Sequence, residues 1–136
     1  MGQNNPSIIF YSFQALSGLL SSRMKMDSSF VKSFQIGDLR KSVYFFNNQD
    51  GSDLYTGSYT GFGVSSIFTG LSVEEMILIR AECLARKGDQ QKAIDEINYL
   101  RKFRFSTEEY KDYKLEEIGD VLMVVLEERR KELYMR

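Results

Sequence analysis

The sequence predicts a mainly α chain: a helical hairpin and a C-terminal helix behind an irregular N-terminal half containing short strands or loops. The first observation is a change of texture. Residues 1–70 are rich in Ser, Gly, Asn, Phe and Tyr and poor in charge, whereas from Leu71 the composition turns to the helix-favouring Leu, Ile, Ala, Glu, Lys and Arg. No proline occurs in that second half, and its apolar residues recur at spacings of three to four. Length is the second observation, because 136 residues suffice for one core and are too few to expect two. The expected organisation is a single domain over 1–136, with a loop-rich segment 1–70 and a helical segment 71–136.

In chain order, the apolar cluster Ser7–Phe13 and the stretch Ser42–Phe46 are strand-like in content, with loop or short helix between them. The first long helix opens on Ser72-Val73-Glu74-Glu75, a capping box in which Ser72 accepts from the Glu75 amide. Its body, MILIRAECLA, is apolar on nearly every face except Arg80, Glu82 and Arg86, which predicts a central helix with Cys83 packed inside. Gly88 ends it and Asp89 is placed to cap the next, over about Gln90 to Phe103, whose stripe is Ala93, Ile94, Ile97 and Leu100. Ala81, Leu84, Ala93, Ile97 and Leu100, with Gly88 at the turn, stand at the spacings of one tetratricopeptide unit. They fit an ordinary helical hairpin equally well, since no second copy follows at a period of about 34 residues. A last helix is expected from about Leu115 to the chain end, with Ile118, Leu122, Val125, Leu126 and Leu133 as its buried stripe.

Composition excludes much chemistry. The net charge of −1 carries no cluster of one sign, which argues against a nucleic-acid footprint. With no histidine and one cysteine, neither the common zinc sites nor a His-based triad can be built, and no metal or cofactor is expected. Carboxylates abound, yet nearly all lie on helices beside compensating bases, not as a pair held across a cleft with one pKa raised, so no enzyme is expected. The apolar stretch Phe13–Leu20 is too short to span a bilayer and lacks a lipid-bearing cysteine.

Charges near apolar stripes are less routine. Glu128, Arg129 and Glu132 lie within about one turn beside the last stripe, and Arg80 and Glu82 sit in the most apolar helix. Buried charges persist only when paired and hydrogen-bonded, so these two sets are expected to meet as a structural ion-pair network. The alternative is a solvated face with i,i+4 pairs.

Leu71–Gly88 (LSVEEMILIRAECLARKG), Ala93–Arg101 (AIDEINYLR) and Glu128–Leu133 (ERRKEL) together resemble the C-terminal signature of the SusD/RagB family. Asn5–Phe10, Phe30–Phe34, Asp38–Arg40 and Tyr44–Phe46 are similar to weaker blocks of the same family. The resemblance implies a SusD-like fold in part, and a glycan-binding lipoprotein on the outer-membrane surface that delivers oligosaccharide to a TonB-dependent transporter. It implies no catalysis, and membrane attachment only through a lipid anchor that this chain does not carry. In the family the ERR-x-EL helix runs on to a glycine and an aromatic-rich stretch similar to G-x-R-W-F-D; neither follows Arg136, so a slice of a larger protein is expected.

A sugar site requires an exposed aromatic face for stacking, with polar side chains for hydroxyls, in a concave surface. The candidate is the loop Asn47–Phe62, where Tyr55, Tyr59 and Phe62 supply faces and Asn48, Asp50 and Asp53 supply acceptors. The competing reading is a Gly-Ser loop whose aromatics anchor it to the core. An EF-hand over the same stretch fails, because Phe46 and Gly57 would have to be ligands. The alternative function is a tetratricopeptide-like protein-interaction module without its own ligand site.

Overall fold

The computed structural model describes residues 5–15, 25–57 and 66–136. Contacts divide the chain into two compact units, one running to Leu71 and including Met135 and Arg136, the other Ser72–Tyr134. The division falls where the composition changes, and the chain is mainly helical with short strands in its irregular first half.

In the first unit the elements are β1 (Ile8–Phe10), β2 (Phe13–Ala15), α1 (Ser28–Lys32), α2 (Leu39–Tyr44), β3 (Phe45–Asn47), β4 (Asp53–Tyr55) and β5 (Ser66–Phe68). Strand β2 pairs antiparallel with β5, Phe13 opposite Phe68. Strands β3 and β4 form a second antiparallel pair, with Phe45 opposite Tyr55 and Asn47 opposite Asp53. Both short helices begin at an aspartate: the Asp27 carboxylate accepts from the Ser29 amide at 2.9 Å, and that of Asp38 from the Arg40 amide at 3.1 Å. The cap at Asp38 corrects the strand expected over Ser42–Phe46. Its first three residues complete α2 and only Phe45 and Phe46 enter β3, so a local cap outweighs the β propensity of Val43 and Tyr44.

The core of this unit is aromatic. Phe30, Phe34, Tyr44 and Phe45 are buried and meet edge to face, with centroids 5.3 Å apart for Phe30 and Phe34 and 5.4 Å for Phe34 and Phe45. Arg40 is buried beside them, paired to Asp38 at 2.8 Å, with its guanidinium 5.8 Å from the Phe34 centroid.

After the two-residue strand β6 (Leu71–Ser72) come α3 (Val73–Lys87), α4 (Gln90–Arg101), a 3₁₀ turn at Leu115–Glu117 and α5 (Val121–Glu132). Ser72 accepts from the Glu75 amide at 3.4 Å, so the expected cap opens α3. Gly88, at φ 90°, closes it in the left-handed conformation that costs other residues a steric clash. Asp89 behaves differently from expectation: its carboxylate pairs with Lys92 at 2.7 Å and makes no side-chain cap. The core joins Ile77, Leu78 and Ala81 of α3, Ala93, Ile94, Ile97 and Leu100 of α4, and Val121 and Val125 of α5. Each fully buried Leu, Ile or Val among these contributes about 1.5–3 kcal/mol.

Two corrections concern helix faces. Cys83 is exposed rather than packed, because the buried face of α3 runs through Glu74, Ile77, Leu78 and Ala81 and position 83 lies across the helix from it. Helix α5 starts at Val121, not near Leu115, because Asp120 caps it by accepting from the Met123 amide at 3.1 Å. Val125 is buried as expected, Ile118 precedes the helix, and Leu122, Leu126 and Leu133 are half-buried.

Candidate functional site

Among the described residues, the first unit has a groove of about 750 Å³ between α1, the turn leading into α2, and the β3–β4 hairpin. Its floor is apolar, from Val31, Phe34 and Phe45. Lys32, Gln35, Lys41, Asn47 and Asp53 line it with hydrogen-bonding groups. Such a mixture of an apolar base and convergent polar groups suits a neutral polar ligand.

The hairpin shows how the predicted site residues are spent. Asn48 holds the turn: its amide donates to the Ser52 carbonyl at 2.8 Å, its carbonyl accepts from Gly51, and its side chain accepts from the Gln49 amide. Gly51, at φ 78°, supplies the left-handed step of that turn. Asp50 accepts from Ser52 and forms an ion pair with Lys25 at 2.9 Å. The Ser52 hydroxyl foremost, then Lys25, hold its carboxyl well below the usual carboxylate range. Asp53 accepts from the Asn47 side chain at 3.1 Å, and both line the groove.

Tyr55 does not offer a free ring. It is half-buried, tilted against Tyr44 at 5.9 Å and Phe45 at 6.4 Å, which is the anchoring role of the competing reading. Tyr59 and Phe62 lie outside the described residues. Of the six candidates, then, Asp53 lines the groove, Asn48 and Asp50 hold the turn beside it, and Tyr55 supports it from the core. Lys32, Gln35 and Lys41 were not singled out in the sequence. Lys32 and Lys41 lie on the short helices and Gln35 in the loop between them, with no local pattern that marks them.

The charges singled out on α3 and α5 have several different partners. Arg129 of α5 reaches Glu82 of α3 at 3.3 Å, so the two sets do touch; Glu82 also holds Arg86 at 2.8 Å. Arg80 instead pairs with Glu96 on α4 and is largely exposed. Glu132 is engaged by Arg104, whose Nε lies 3.1 and 3.0 Å from its two oxygens and whose Nη2 lies 2.7 Å from Oε1. Arg104 also reaches Glu74 at 3.2 Å. Glu128 is buried in α5. Arg104 therefore joins two buried carboxylates, Glu132 of α5 and Glu74 of α3. It lies between Phe103 and Phe105 just past the end of α4, where nothing local in the sequence marks it. Among the described residues no group of three or more His, Cys, Asp or Glu could hold a metal ion, and no helix is long and apolar enough to cross a membrane.

Residues 73–135 match the SusD family model, a stretch that starts at the first residue of α3 and takes in α4 and α5. No curated protein and no solved structure matches the chain.

Proposed function

We propose, taking the SusD-family helical segment as premise, that this chain serves oligosaccharide capture at the outer-membrane surface and delivery to a TonB-dependent transporter. The match of residues 73–135 carries the reading. The groove of the first unit supports it, with an apolar floor and amide, carboxylate and ammonium groups above it, the chemistry that meets the faces and hydroxyls of a sugar. In this reading Asp53 contacts hydroxyls, Asn48 and Asp50 keep the hairpin in shape, and Tyr59 and Phe62 supply the stacking faces. The role is binding, without catalysis and without a cofactor. A glycan array on the purified chain tests it, repeated with Asp53→Ala and Tyr59→Ala. Binding that these substitutions weaken upholds the reading, and silence from a chain shown to be folded sinks it.

A second reading has one observation in its favour. Val73, Met76, Ile79 and Cys83 run along one face of α3, all exposed, the first three between 37% and 47%. An apolar stripe of that kind suits a protein partner docking on the helical hairpin. If it does so, Met76→Lys and Ile79→Lys abolish co-purification with a transporter while leaving glycan binding intact.

A further inference from the structure

We infer that the helical unit carries its own contact site for a neutral oligosaccharide, in the pocket between α4 and the segment Tyr110–Glu116, with Tyr99 as its stacking face. The inference rests on the glycan reading for its ligand class and on a different surface for its evidence. The pocket has a volume of about 530 Å³, within the range of small-ligand sites.

The pocket is held in shape before any ligand arrives. Asn98 of α4 grips the facing segment at two points, its amide nitrogen donating to the Tyr113 carbonyl at 2.9 Å and its oxygen accepting from the Tyr113 amide at 2.8 Å. The Tyr110 hydroxyl lies 2.9 Å from the Asn98 carbonyl and close to Asp112. Burial, then that carboxylate, push its pKa up to about 12, so it stays a protonated donor throughout the neutral range. Beneath, the buried Arg101 guanidinium lies 3.5 Å from the centroid of Tyr113 and 4.6 Å from that of Phe105, and donates to the Lys111 carbonyl at 3.3 Å. A wall fixed in this way costs a ligand little ordering entropy.

Against that fixed wall stand groups with capacity to spare. Tyr99 is 57% exposed, yet an edge contact to Phe103 at 5.4 Å holds the orientation of its ring. The Tyr99 hydroxyl and the side chains of Lys102 and Glu116 line the pocket with no hydrogen bond or ion pair among the described residues. Three acids, Asp95, Asp112 and Glu116, face two lysines, Lys102 and Lys114. That near balance offers neither the basic excess that a phosphate needs nor the acidic cage of a hard cation. An aromatic face amid balanced donors and acceptors suits a molecule with an apolar face and many hydroxyls, which is a sugar.

The test uses the full chain and an array of neutral glucan, mannan, galactan and xylan oligosaccharides, with affinities of the hits measured by calorimetry. Tyr99→Ala and Lys102→Ala are compared with Asp53→Ala, folding being checked by circular dichroism. Loss of a stacking face predicts weakening of about tenfold for Tyr99→Ala. Tyr99→Phe, which keeps the face, retains most of the affinity. Binding that survives both Tyr99→Ala and Lys102→Ala but falls with Asp53→Ala overturns this site and leaves the glycan reading standing. A folded chain that binds no oligosaccharide overturns both.

Discussion

Arg104→Leu should be among the most damaging single substitutions in the helical unit. The Arg104 side chain is 19% exposed, while those of its partners Glu132 and Glu74 are 1% and 9% exposed. Removing the guanidinium leaves two carboxylates in a place that water barely reaches, and breaking a buried pair from one side costs about 3–5 kcal/mol. For a chain of this length that corresponds to a fall in melting temperature of roughly 10–20 °C. Urea denaturation followed by circular dichroism at neutral pH reads the loss. Two controls isolate the cause. The double variant Arg104→Leu/Glu132→Leu recovers part of it, since one of the two buried carboxylates is removed together with the guanidinium. Arg80→Leu removes a pair whose arginine side chain is 62% exposed and stays within about 1 kcal/mol of the parent. Equal losses from Arg104→Leu and Arg80→Leu would refute the assignment of Arg104 as the link between two buried carboxylates.

Other consequences follow from single contacts. Ser72→Ala removes the acceptor for the Glu75 amide and should cost about 0.5–1 kcal/mol in urea titrations, the low end because the bond is 3.4 Å long. Cys83 should react with a thiol reagent in the native chain as fast as in denaturant, and protection of the native thiol would show that the α3 face is covered. The Tyr110 phenol is raised from 10.0 to about 12. The folded state therefore holds its proton where the unfolded chain has lost it, so the stabilisation is complete below pH 10 and is lost as pH rises through 12. Phenolate absorbance should show one tyrosine titrating late, and Tyr110→Phe should remove that step. Asp50 shifts in the opposite sense: its depressed carboxyl favours the β3–β4 turn above the usual carboxylate range, and the preference fades on acidification. Chemical shifts of Gly51 and Ser52 followed through an acid titration would report it, and Asp50→Asn should flatten the response.

How much of this was legible beforehand depends on the range of the forces involved. Ser72 three residues before Glu75, Gly88 after a helical run and the stripe Ala93, Ile94, Ile97 and Leu100 are local patterns, so the sequence by itself determined the helical hairpin, the start and end of α3 and the buried stripe of α4. The resemblance of the second half to the SusD family was legible for the same reason, since LSVEEMILIRAECLARKG and ERRKEL are contiguous strings and the family model matches residues 73–135. Only the tertiary structure decided which faces were left over. The apolar content of MILIRAECLA said nothing about whether Cys83 pointed inward, because that depends on where α4 and α5 pack. Arg80 and Arg104 are both arginines beside apolar residues. Their different partners, the half-buried Glu96 and the fully buried Glu132, are fixed by contacts 16 and 28 residues apart in the chain. The aromatic residues divide likewise: Tyr55 looks like a stacking face in the sequence and is drawn into the Tyr44–Phe45 cluster, whereas Tyr99 sits unremarked on a helix and emerges beside a pocket. Periodicity records that a side chain is apolar, but burial is a property of the neighbours that long-range packing brings to it.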